Sequence, residues 1–114
     1  MKNNEIKLKK SICYSLFIKG AWTRDYFLKS YKGYNFIIDN IKFDIFKGQY
    51  GWQVNWQGTL IKHYGKLKEL KAEILKDNNF INLLEQIKQG KIQPNPIYIK
   101  LIKELEAKDE QSNK

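Results

Sequence analysis

The chain has 114 residues, 42% hydrophobic and 14% aromatic, with 21 basic against 12 acidic side chains and a formal net charge of +9. That length holds one domain with enough apolar surface for a core that needs no staples. One cysteine excludes an internal disulfide, one histidine argues against a histidine-built metal centre, and no apolar run approaches the roughly 20 residues that span a bilayer.

In chain order, residues 1–8 read as a flexible basic arm. Ile12, Tyr14, Leu16 and Ile18 then alternate with Cys13, Ser15, Phe17 and Lys19, which predicts a strand with both faces partly covered. This run is too short and too polar for a secretory signal, so a cytoplasmic location is expected, with Cys13 a small buried hydrophobe. Residues 23–32 read as a short helix, with Thr23 as cap, Tyr26, Phe27, Ser30 and Tyr31 at helical spacing, and Gly33 at its end. Four short strands follow: Tyr34 to Ile38, Ile41 to Phe46, Trp52 to Trp56 and Thr59 to Tyr64. Turns at Asp39-Asn40, Gly48-Gln49-Tyr50-Gly51 and Gln57-Gly58 require antiparallel pairing.

Three helical patterns close the chain. Leu67, Leu70 and Ile74 mark the first. Phe80, Leu83, Leu84 and Ile87 mark the second, with Asn78-Asn79 able to cap it and Gly90 ending it. Tyr98, Leu101, Ile102 and Leu105 mark the third, with Asn95 as cap and Pro96 at the first helical position. The third helix is more apolar than one contact face needs, which raises homodimerisation through it. Residues 107–114 lack apolar spacing and read as a disordered tail. The expected fold is α+β: an antiparallel meander of about four to five strands, a short helix inserted after the first strand, and C-terminal helices packed on one sheet face, all within a single domain at 9–106.

Alternation assigns the sheet faces. Trp52, Val54 and Trp56 share a side with Ile41, Phe43 and Ile45, and should lie under the helices. The other side then carries Lys42, Gln53, Asn55 and, by register, Lys62 or His63, a flat and positive polar surface. A less favoured reading exposes Trp52 and Trp56 as a stacking platform for bases, with Phe46, Tyr50 and Tyr34 better placed for exposure.

The positive charge sits in the N-terminal third: residues 1–32 hold eight bases and two acids, and the rest is nearly balanced. Twenty of the 21 bases are lysine, which favours attraction to phosphate over fork-like base readout. Catalytic patterns are weak. His63 and Cys13 have no supporting signature, Asp39 and Asp44 have no meaningful spacing, and Gly48–Gly51 leads into a strand rather than a phosphate-binding helix terminus. A non-enzymatic protein without cofactor or metal is expected.

The expected function is a small basic nucleic-acid-binding module contacting DNA or RNA, or a nucleoprotein, through Lys7, Lys9, Lys10, Lys42, Gln53, Asn55 and Lys62. Size and an AT-rich coding style suggest a phage or mobile element as its source. The order strand, turn, strand, helix over residues 51–69 resembles small sheet-type DNA readers such as the arm-binding domains of phage integrases, in shape and without a diagnostic motif. The alternative is a protein-interaction module, such as an inhibitor or accessory subunit, docking through Tyr34, Tyr50 and Tyr98.

Overall fold

The computed structural model describes residues 6–20, 22, 25–49 and 51–112. Among these, five strands form one antiparallel meander in sequential order: β1 (Lys9–Lys19), β2 (Asp25–Ile38), β3 (Ile41–Gly48), β4 (Gly51–Trp56) and β5 (Thr59–Tyr64). Three α-helices follow: α1 (Leu67–Glu73), extended by a 3-10 turn at Ile74–Lys76, then α2 (Asn78–Lys88) and α3 (Pro96–Ser112). The α+β architecture is the expected one. The tight turns form where the sequence allowed positive φ, at Asp39 (53°) and Asn40 (68°), and at Gln57 (49°) and Gly58 (83°). These left-handed pairs match the twist of the strands they join.

The core lies between one sheet face and α1 and α2. Phe36, Phe43, Ile45 and Val54 meet Leu70, Ile74, Phe80, Leu84 and Ile87, with Trp52 and Trp56 half-buried at its margin. Phe80 sets its ring against Phe43, with centroids 5.3 Å apart. The tryptophan side of the sheet therefore faces α1 and α2, while α3 departs from the expected single helical face. A bulge opposite Val54 and Asn55 adds one residue to β5, so Ile61 enters the core while Lys62 still pairs with Val54.

Several expectations are corrected. Residues 25–32, read as helix, are strand: they form the first half of a 14-residue β2. The cap proposed at Thr23 lies outside the described residues. Tyr26, Phe27, Ser30 and Tyr31 fit helical spacing, but continuous pairing from Lys19↔Asp25 to Lys9↔Asn35 decides the conformation. Gly33 sits inside β2 rather than ending a helix. A Cβ there would collide with the Ile45 carbonyl and crowd Cys13 Sγ, so glycine permits this close crossing.

The three helices do not share one face. Tyr98 of α3 covers Gly58 and, with Ile102 and Leu105, borders a cleft that includes Lys42 and Asp44 on the opposite side of the sheet. A backbone bond from Asn95 N–H to the Gln57 carbonyl (3.0 Å) ties the start of α3 to the β4–β5 turn and directs it there. Asn95 caps α3 as expected, accepting from Ile97 and Tyr98 N–H at 3.0 and 3.2 Å.

The α2 cap is Asp77, not Asn78 or Asn79. Its carboxylate accepts from Asn79 and Phe80 N–H. At the chain ends, Ile6 is buried and Leu8 packs on the core, while residues 1–5 of the expected flexible arm lie outside the described residues. Helix α3 continues to Ser112, past the expected order boundary at Glu106. Ala107, Lys108, Glu110 and Gln111 are strong helix formers even without an apolar stripe.

Candidate nucleic-acid interface

The sheet has two unequal parts. At Tyr34 and Asn35, β2 pairs with both β1 and β3, and from Phe36 to Ile38 with β3 alone. From Asp25 to Gly33 it pairs with β1 alone, so residues 11–19 and 25–33 form a two-stranded ribbon extending beyond the sheet body. The ribbon lengthens the molecule: its radius of gyration is 15.3 Å, against about 13 Å for a compact chain of this size. Between Lys9 and Gly33 the sequence has six basic residues and one acid, Asp25. Lys9, Lys10, Lys29 and Lys32 are all exposed, and none forms an ion pair among the described residues.

Aromatic rings are interleaved with these lysines. Phe17 and Phe27, directly paired across the ribbon, stack with centroids 5.8 Å apart. Lys29 Nζ lies 5.8 Å from the Phe17 ring and 5.7 Å from Tyr31, within range of a cation–π attraction. Tyr31 in turn stacks on Phe46 at 4.5 Å. Trp22, beyond the end of β1, is 98% exposed, and Ile18 is 58% exposed. Sequence reasoning passed over these ribbon residues because the helical reading of 23–32 hid the hairpin. The available signal was Gly20-Ala21-Trp22-Thr23-Arg24, a glycine-led gap between two aromatic-rich runs.

The residues expected to form one polar face are dispersed. Lys7 is exposed just before β1, Lys9 and Lys10 at its start, and Lys42 on β3. Gln53 is half-buried. Asn55 is only 7% exposed, and its Oδ1 has no hydrogen-bond partner. Asn55 lies directly across from Asp44 on the side that α3 covers. Lys62 is turned to the helical side, where Nζ is 2.6 Å from Asp77 Oδ2. The lysine–amide face is thus neither fully open nor continuous, because α3 lies over part of it and the bulge in β5 removes Lys62.

The expected protein-contact tyrosines do not converge either. Tyr98 is 7% exposed, packed against its own sheet. Tyr34 is half-buried beside Trp52, and Tyr50 lies outside the described residues. Phe46, expected to be exposed, is fully buried.

Burial shapes the titrating groups. Cys13 is pushed up to about 11 by burial first and by Asp44 second. Its thiol donates weakly to the Tyr34 and Ile45 carbonyls and stays protonated near neutrality, which makes it a packing residue rather than a nucleophile. Burial also raises Asp44, against the opposing pull of Lys42. Tyr98 is raised to about 12 by burial and then by Asp44. Burial works against ionised Asp77, but bonds from Lys62, Tyr64 and two backbone N–H groups outweigh it and hold the carboxyl at about 2. These are features of packing and capping. No family model, curated protein or solved structure matches the chain.

Proposed function

We propose that this protein is a small basic nucleic-acid-binding module whose contacts run along the β1–β2 ribbon and the adjoining start of β1. The supporting observation is a set of exposed lysines with no ion-pair partner among the described residues: Lys10 and Lys32 on one face of the β1–β2 pair, and Lys9 and Lys29 on the other, where Lys29 lies over the Phe17 and Tyr31 rings. Ammonium groups free of carboxylate partners can displace counterions from phosphate, and affinity gained that way falls steeply with salt. Lys7 and Lys42 are exposed as well, but Lys42 lies apart from the ribbon, beside Asp44 in the cleft bordered by α3. Asn55 and Lys62 leave the proposed contact set, and Gln53 contributes only at its margin. In this reading the protein is cytoplasmic, carries no cofactor and performs no catalysis, and its source is a phage or mobile element. Binding to labelled single- and double-stranded oligonucleotides, measured from about 50 to 200 mM salt, should weaken steadily across the series. No binding at the low-salt end contradicts the proposal.

A second reading, docking on an acidic protein or nucleoprotein, is favoured by Trp22, whose side chain is almost fully exposed. Large apolar side chains of this kind anchor protein interfaces. A partner retained after nuclease treatment of a host lysate, and lost with Trp22→Ala, supports this second reading.

A further inference from the structure

The β1–β2 register brings four side chains to one face at the root of the ribbon: Lys10 opposite Tyr34, and Ile12 opposite Lys32. Trp52, on the same face, lies beside Tyr34 with ring centroids 6.2 Å apart and planes inclined at 36°. Together these residues line an open pocket of about 500 Å³. None of the residues lining it belongs to α1 or α2, so this end of the sheet face is left open by those helices. The volume falls in the range of small-molecule sites. With Ser11 and Gly33 completing it, its lining combines two aromatic rings, one aliphatic side chain and two ammonium groups, with no carboxylate.

We infer that this pocket holds one unstacked base of a single-stranded nucleic acid, its ring against Trp52 and Tyr34 and its flanking phosphates near Lys10 and Lys32. This inference deepens the proposed function and rests on it. The chemistry favours a single strand over a duplex. A base inside a duplex has both faces already stacked and cannot enter a pocket without being flipped out. Stacking on aromatic rings accepts any base, which agrees with a lysine-based surface that carries no fork-like guanine reader. A strand also fits better than a free nucleotide. Lys9, exposed beside Lys10 on the edge strand β1 but on its opposite face, and Lys7, exposed just before the strand, add positive charge that only a longer chain passing round this edge would reach.

The test compares the full-length protein's affinity for a single-stranded oligonucleotide of about 12 nucleotides, the same sequence as a duplex, and a mononucleotide, at about 50 mM salt. The single strand should bind about tenfold or more tighter than the duplex, and the mononucleotide far more weakly than either. Lys10→Ala and Lys32→Ala, both at exposed positions, should each weaken single-strand binding several-fold. Lys100→Ala on α3 should not. Because Trp52→Ala also removes core packing, the decisive companion is the amide and indole spectrum of the unaltered protein. Addition of the oligonucleotide should shift the Trp52 indole N–H and leave that of Trp56 in place. Equal affinity for strand and duplex, or wild-type binding by both lysine variants with an unmoved Trp52 signal, overturns the pocket while leaving salt-sensitive nucleic-acid binding intact. No binding to any probe overturns both.

Discussion

The ribbon and the sheet body are built from the same strands but held by different physics. In the body, Phe43, Ile45 and Val54 have no exposed surface, and each lies on a strand paired on both sides with a helical layer above. In the ribbon, Ile12, Ile18 and Phe27 are substantially exposed, and each strand has one partner only. An isolated two-stranded hairpin is marginal in water. This ribbon is rooted in the sheet at Tyr34 and braced by the Tyr31–Phe46 stack. Stability therefore concentrates in the body, while net positive charge and exposed aromatic surface concentrate in the ribbon.

That separation can be broken or sharpened by substitution. Removing a buried ring should produce the largest effect: Phe43→Ala should cost about 3–5 kcal/mol in urea unfolding. Ile18→Thr on the ribbon should cost about 0.5 kcal/mol or less. Equal costs would mean that the ribbon belongs to the core. Gly58→Ala comes next, at about 1–3 kcal/mol. Gly58 has φ +83°, and a Cβ there would strike Tyr98, so the variant should also loosen α3. Its measurement by hydrogen exchange should show faster exchange across α3 and little change in α2.

Asp77→Ala should cost about 1–2 kcal/mol by removing a helix cap. The same carboxylate gives a pH signature. Its folded pKa of about 2 lies below the ordinary carboxyl value of 3.8, so its contribution is complete above the unfolded value and is lost as pH falls from there toward 2. Part of the acid destabilisation should thus be missing in the Asp77→Ala variant. The smallest expected effect is a gain. Asp44 is raised by burial, so the folded state disfavours its charge, and this group's contribution falls as pH rises above the unfolded value. Asp44→Asn removes that charge and can offer an N–H to the unpartnered Asn55 Oδ1 across the strand pair. Thermal unfolding near neutral pH should move slightly upward.

The body was legible because its local signals agree. Asp39-Asn40 and Gln57-Gly58 accept the positive φ that tight hairpins need, and Phe80, Leu83, Leu84 and Ile87 leave α2 only one way to pack. The ribbon was not, for a physical reason. With both faces partly wet, nothing forces apolar residues into strict alternation, and Tyr26, Phe27, Ser30 and Tyr31 satisfied a helical pattern by composition alone. The placement of α3 was hidden too. Its apolar stripe indicates that it docks, but the choice of face depends on the Asn95–Gln57 backbone bond, which periodicity does not encode. The site suffered accordingly: Lys9 and Lys10 were readable as exposed charge, whereas Lys32 and Trp52 become neighbours only through the register of β2 with β1 and the crossing of β4.

The central claim is that the ribbon binds while the body supports it. The most direct measurement replaces Lys9, Lys10, Lys29 and Lys32 with glutamine together and follows both oligonucleotide affinity and thermal unfolding. The expected result is an affinity loss of about tenfold or more with a flatter salt dependence, and an unfolding midpoint close to that of the wild-type protein. Undiminished, equally salt-sensitive binding by this variant would contradict the account.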